Sequence, residues 1–184
     1  MQQELVERAS RGDHDAFAEL AGASIFRLDA AARLILRDPD QARDAVQETL
    51  VRAWRGLPTL RDTDRFDAWL HRPLVRACID EARRLRRHRV DVELTSIDAP
   101  TVDDAVSLMA DRDQLERGFR RLRAEHRAAL VLHYYVGMSA SAMAESLDIP
   151  VGTAQSRLHR ALAELRAAIA ADERQPAEAR AVTA

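Results

Sequence analysis

Apolar residues recur at three- and four-residue spacings along most of this chain, the period of a helix with one buried stripe. Leu5, Val6 and Ala9 predict a short helix over 2–11 that stops at Gly12. Ala16, Phe17, Leu20, Ile25, Leu28, Leu34 and Ile35 predict a second from near Asp13 to Arg37, with Gly22 as a point where it can kink. Asp38-Pro39-Asp40-Gln41 reads as a helix start. The acid caps the end, proline takes the first helical position where its missing N–H costs nothing, and Gln41 completes a capping box. The helix it opens, through about Gly56, sets Ala42, Val46, Thr49, Leu50, Ala53 and Trp54 on one side. Asp44, Gln47, Glu48, Arg52 and Arg55 occupy the other. After a loop, Asp64 is the expected cap of a fourth helix in which Phe66, Leu70, Leu74, Ala77, Cys78, Glu81 and Leu85 keep the period, Glu81 being the one polar exception. That helix ends in Arg83-Arg84-Leu85-Arg86-Arg87-His88-Arg89. So many cations at one helix end, with no compensating acid, imply an anionic partner or fraying.

The period lapses over 90–110, where acids mix with Pro100, Thr and Ser, and the stretch reads as a linker. It returns from Asp111 with Leu115, Phe119 and Leu122, then Ala128, Ala129, Leu130, Leu132 and Val136, and stops at Gly137. Two further helices with a tight turn between them follow. Ser139 is the N-cap of the first, and Ala142, Met143 and Leu147 give it an apolar face. Asp148-Ile149-Pro150 breaks the period, after which Val151, Ala154, Leu158, Leu162, Leu165 and Ile169 form one stripe. The opposite face carries Thr153, Gln155, Ser156, Arg157, His159 and Arg160. Short hydrogen-bonding groups mixed with cations suit a helix whose first turns enter a major groove, although a plain solvated hairpin has the same pattern. The fold class is therefore all-α. Two small helical domains are joined by a flexible acidic linker, and the C-terminal one contains a helix-turn-helix. The boundaries are 1–90, 91–110 for the linker, 111–172, and a disordered tail over 173–184.

Charge sharpens this division. The formal net charge is −2, but residues 1–90 hold 17 Arg against 15 acids, 91–113 hold one Arg against 7, and 114–184 hold 10 against 8. Two mildly basic blocks thus flank an acidic stretch. The single cysteine, Cys78, excludes an internal disulfide framework and falls on an apolar helical face. The six His are scattered without metal-ligand spacing, and no phosphate-binding Gly loop or nucleophile elbow appears. No catalytic residue, metal or cofactor is expected. The charged start and the absence of a long apolar run point to a cytoplasmic protein with no membrane partner.

Two blocks resemble a known family. RDPDQARDAVQETLVRAW followed by FDAWLHRPLVRACIDEARRLRRHR is similar to the second domain of extracytoplasmic-function sigma factors of bacterial RNA polymerase. LRAEHRAALVLHYYVGMSASAMAESLDIPVGTAQSRLHRALAELR is similar to their fourth domain. The resemblance implies a promoter-specificity subunit that binds core polymerase and promoter DNA, makes no bonds itself, and is held inactive by an anti-sigma factor. It implies that Asp44, Gln47, Glu48, Arg52 and Arg55 dock on the core. It assigns the −10 element to Asp62, Thr63, Asp64, Arg65, Arg76, Arg83, Arg84 and Arg87, with Arg76, Arg83 and Arg87 on one helical face. It assigns the −35 element to Thr153, Gln155, Ser156, Arg157, His159 and Arg160. The chain departs from the family pattern at Pro73, Arg76, Ala142 and Gln155, and a kink is expected at Pro73. The alternative is a stand-alone helix-turn-helix regulator that binds duplex DNA without polymerase.

Overall fold

The computed structural model describes the backbone of residues 1–92 and 108–182, and the side chains of 1–87 and 113–172. The first unit comprises α1 (Gln2–Ser10), α2 (His14–Leu36), α3 (Pro39–Gly56) and α4 (Phe66–Val92), with 3-10 turns at Leu57–Thr59 and Thr63–Arg65. The second comprises α5 (Leu108–Arg121), α6 (Ala124–Leu130), a π turn at Val131–Tyr135, α7 (Ala140–Leu147) and α8 (Val151–Val182). No strand occurs among the described residues. Most of the acidic linker expected at 91–110 lies outside them.

Local chemistry sets the helix boundaries. The Asp13 carboxylate accepts from the Ala16 amide at 3.0 Å and opens α2. Asp38 accepts from the Asp40 and Gln41 amides and opens α3, while the Gln41 side chain donates to the same carboxylate at 3.1 Å. Ser139 accepts from the Ala142 amide and opens α7. Gly137 at φ 80 and Asp148 at φ 55 make the left-handed turns on either side of α7.

Packing then joins the units. α2, α3 and α4 enclose Leu28, Ile35, Val46, Phe66, Leu70 and Leu74, and the same apolar cluster continues into Ala128, Leu132, Met143 and Ala154 of the second unit. A smaller cluster, Leu122, Leu130, Ala161 and Leu165, holds α5 and α6 to α8. A Cβ on Gly118 would stand 2.8 Å from Leu165, so glycine permits the close approach of α5 to α8. Asp172, nearly buried, receives Arg117 at 2.9 Å and also Arg121. Burying a side chain such as Leu28 contributes roughly 1.5–3 kcal/mol, so these layers account for most of the stabilisation.

The structure corrects several expectations. The chain enters α4 through a 3-10 turn, so the cap is Asp62, which accepts from the Asp64 amide at 3.1 Å; Asp64 is not the cap. Ile25, Leu115 and Val151 are exposed, while the small residues Ala31, Ala32 and Ala161 are buried in the contacts. Small side chains let helices pack closely, a role that apolar periodicity alone under-weights. His71 is buried, and its Nδ1 lies 2.7 Å from the Asp67 carbonyl oxygen. α4 keeps Pro73 inside one continuous helix, an arrangement compatible with the bend expected there. α8 continues through the tail expected at 173–184 as far as Val182, with Pro176 inside it.

Candidate nucleic-acid interface

The turn Asp148-Ile149-Pro150 aims α8 across α7. The Asp148 amide bonds the Glu145 carbonyl at 3.3 Å and the Ile149 amide bonds that of Ala144 at 3.1 Å, which fixes the entry angle. Ala154, Ala161 and Leu165 are buried, so the opposite face is turned outward. Thr153, Gln155, Ser156, His159 and Arg160 are exposed there and Arg157 is half-buried, all six on the first turns of one helix. These are the six residues that the sequence singled out.

A second cationic surface runs along α4 and the turn before it. Arg65 pairs with Glu145 of α7 at 2.9 Å. Arg76 pairs with Asp148 at 2.6 Å, and Arg72 reaches the same carboxylate at 3.8 Å. Arg83 meets Glu125 of α6 at 3.4 Å. Arg84 pairs within its own helix with Glu81 at 2.8 Å, and Arg87 is exposed. Beside the turn lies a cavity of about 340 Å³ lined by Arg61, Asp62, Arg65, Trp69 and Arg72, with Glu145 on its far wall. Asp64 accepts from the Gln3 side chain, Thr63 is half-buried, and Phe66 belongs to the core. The aromatic face available to a ligand here is that of Trp69.

A third surface lies on α3. Asp44, Gln47, Glu48, Arg52 and Arg55 are all exposed, and Glu48 pairs with Arg52 at 2.8 Å. In their midst Val51 is 41% exposed, an apolar centre within a polar rim, as protein interfaces require.

Sequence reasoning did not find the acids that oppose α4, Glu125, Glu145 and Asp148, nor the role of Arg127. Half-buried Arg127 donates from Nη1 to the Leu122 carbonyl at 2.6 Å and from Nε to the Ile35 carbonyl, tying α5 to the end of α2. Burial, then the neighbouring Arg37, pulls its pKa down to about 10. Only the unusual run of cations in the first unit hinted that such acids were needed. Among the described residues no group of three or more His, Cys, Asp and Glu could hold a metal ion. No helix searched is long and apolar enough to cross a membrane.

A helix-turn-helix with a polar, cationic leading face, beside a second arginine-lined helix, is a helical arrangement of the kind that meets nucleic acid. Family models agree. Sigma-70 region 2 matches residues 27–88 and Sigma-70, region 4 matches residues 112–165. The chain is 34% identical to the ECF RNA polymerase sigma factor SigM of Mycobacterium tuberculosis, over 88% of its own length and 81% of that protein's. It is 38% identical to SigL of the same species, over 70% and 75%. It superimposes with a TM-score of 0.68 on the sigma factor RpoE of Bartonella quintana, solved in complex with the anti-sigma factor NepR, at 26% identity over 85% and 98%. The chain belongs to the sigma-70 family, within its extracytoplasmic-function group. It is therefore a promoter-specificity subunit of RNA polymerase, and the free-standing regulator is not favoured.

Proposed function

We propose that α8 reads the −35 element as duplex through Ser156, Arg157, His159 and Arg160, with Thr153 and Gln155 nearer the backbone. Arg can bind guanine edges bidentately, and each good base contact is worth roughly 1–3 kcal/mol of discrimination. The turn at Asp62–Arg65, the cavity beside Trp69, and Arg76, Arg83, Arg84 and Arg87 take the −10 strand once it is single. A cationic groove with an aromatic stacking platform is what a single strand binds. The α3 face, Asp44, Gln47, Glu48, Arg52 and Arg55 around Val51, docks on core polymerase. The chain works in the cytoplasm and makes no bonds, the chemistry being the polymerase's.

The observation that carries this reading is the pairing of Arg65, Arg76 and Arg83 with carboxylates of the second unit. A DNA strand needs the same guanidiniums, so the arrangement described here is a closed, polymerase-free one, and promoter binding requires the units to part. An anti-sigma factor, the kind of partner seen with RpoE, would act by keeping them from the promoter.

The test mixes the full chain with core polymerase and reads co-elution and promoter-dependent transcription. Both are expected for the wild-type chain. Glu48→Arg is expected to lose core association while its −35 duplex binding persists. Stable duplex binding by the free wild-type chain, with no core association, would return the free-standing regulator.

A further inference from the structure

The end of α4 and the start of α8 face each other across a cleft of about 310 Å³, within the size range of small-ligand sites. Five guanidiniums line it: Arg83 and Arg86 from α4, Arg123 from the turn before α6, and Arg157 and Arg160 from α8. The one carboxylate among them, Glu125, is engaged by Arg83 at 3.4 Å. Burial pushes the Glu125 carboxyl up, but its own amide, Arg83 and Arg157 outweigh that and hold it below its usual range. It is thus ionised and already partnered. Arg86, Arg123 and Arg160 make no ion pair with a described residue.

Crowding like charges along one cleft is unfavourable, and a closed state that does so gains from any anion that enters. Guanidinium forks match phosphate oxygens bidentately and are less strongly hydrated than ammonium groups. A single phosphate can satisfy one or two forks. Several linked phosphates can span the cleft from Arg86 on one wall to Arg123 and Arg160 on the other.

We propose that this cleft binds an oligophosphate, as a free inorganic chain or as the phosphate chain of a nucleoside polyphosphate, and so holds the two units together. Both walls are needed, so the ligand binds the closed state alone and by mass action favours it. The cleft shares Arg83, Arg157 and Arg160 with the DNA surfaces, but Arg86 and Arg123 are assigned no promoter contact, so substituting those two tests this site apart from promoter recognition. The inference goes beyond the promoter reading, and its failure would leave that reading standing.

Calorimetric titration of the full chain with inorganic tripolyphosphate tests it. One site per chain is expected, about tenfold or more tighter than for orthophosphate. The Arg86→Ala/Arg123→Ala variant alters two exposed positions. It is expected to weaken tripolyphosphate binding by about tenfold or more while core association and promoter-dependent transcription are kept. In the wild type, saturating tripolyphosphate is expected to weaken promoter-dependent transcription, which needs the units to part, and in the double variant to leave it unchanged. Tighter binding of GTP than of tripolyphosphate assigns the site to a nucleoside polyphosphate; equal or weaker binding assigns it to the inorganic chain. Absence of binding, several weak sites, or unchanged binding by the double variant would overturn the proposal. Binding that leaves promoter-dependent transcription untouched would overturn the closure it is said to cause.

Discussion

The two cationic surfaces differ in what they already hold. Along α4 and the turn before it, Arg65, Arg76 and Arg83 each face a carboxylate from the other unit. On α8, Thr153, Gln155, Ser156, His159 and Arg160 stand exposed, and only Arg157 is half-buried. One polypeptide thus covers the surface proposed for a melted strand and leaves most of the surface proposed for a duplex open. The asymmetry has a chemical reason. A single strand is held through its phosphates, which carboxylates can imitate, whereas base edges in a groove have no counterpart in a surface acid.

The most damaging change abolishes the comparison. Phe66 is fully buried between α4 and the rest of the core. Phe66→Ala is expected to cost about 3–5 kcal/mol in denaturant unfolding and to weaken both surfaces together. Next in size, Arg157→Ala should weaken −35 duplex binding by roughly 1–3 kcal/mol, leaving −10 strand binding and core association intact by gel shift and co-elution. Smaller still is the release of α4. Glu145→Gln with Asp148→Asn removes exposed pairs worth about 0.2–1 kcal/mol each. Affinity of the free chain for a −10 single-stranded oligonucleotide should therefore rise a few-fold, with the duplex affinity of α8 unchanged. The least effect belongs to His71, which sits on neither surface. Burial lowers its pKa from an ordinary 6.5, so the unfolded chain takes up the proton more readily. Stability should be full above about 6.5 and decline as pH falls below it, a slope that thermal melts of His71→Gln should flatten.

Much of this architecture is legible from the residues. Asp38-Pro39-Asp40-Gln41 and Ser139 announce their helices because capping is local chemistry, and the six residues on α8 share a face because helical period is local geometry. What escapes is non-local. Arg76 and Asp148 lie 72 positions apart, and no pattern along the chain pairs them. Ile25 and Val151 fit an apolar period yet lie exposed, because periodicity names a stripe without saying how far a neighbouring helix covers it. The displacement of the cap from Asp64 to Asp62 follows from a single 3-10 turn, and a turn of that length leaves no periodic signature.

The most direct test reads the distance between the units in the working complex. Dyes placed by Glu19→Cys on α2 and Ala163→Cys on α8 would report it, both positions being exposed. Buried Cys78, whose thiol burial pushes up to about 12, does not compete for label. Energy transfer should be high in the free chain and fall when core polymerase and promoter are added, in step with transcription. High transfer that persists in a transcribing complex would contradict the account, because α4 would then be serving the promoter with its arginines still held by Glu125, Glu145 and Asp148.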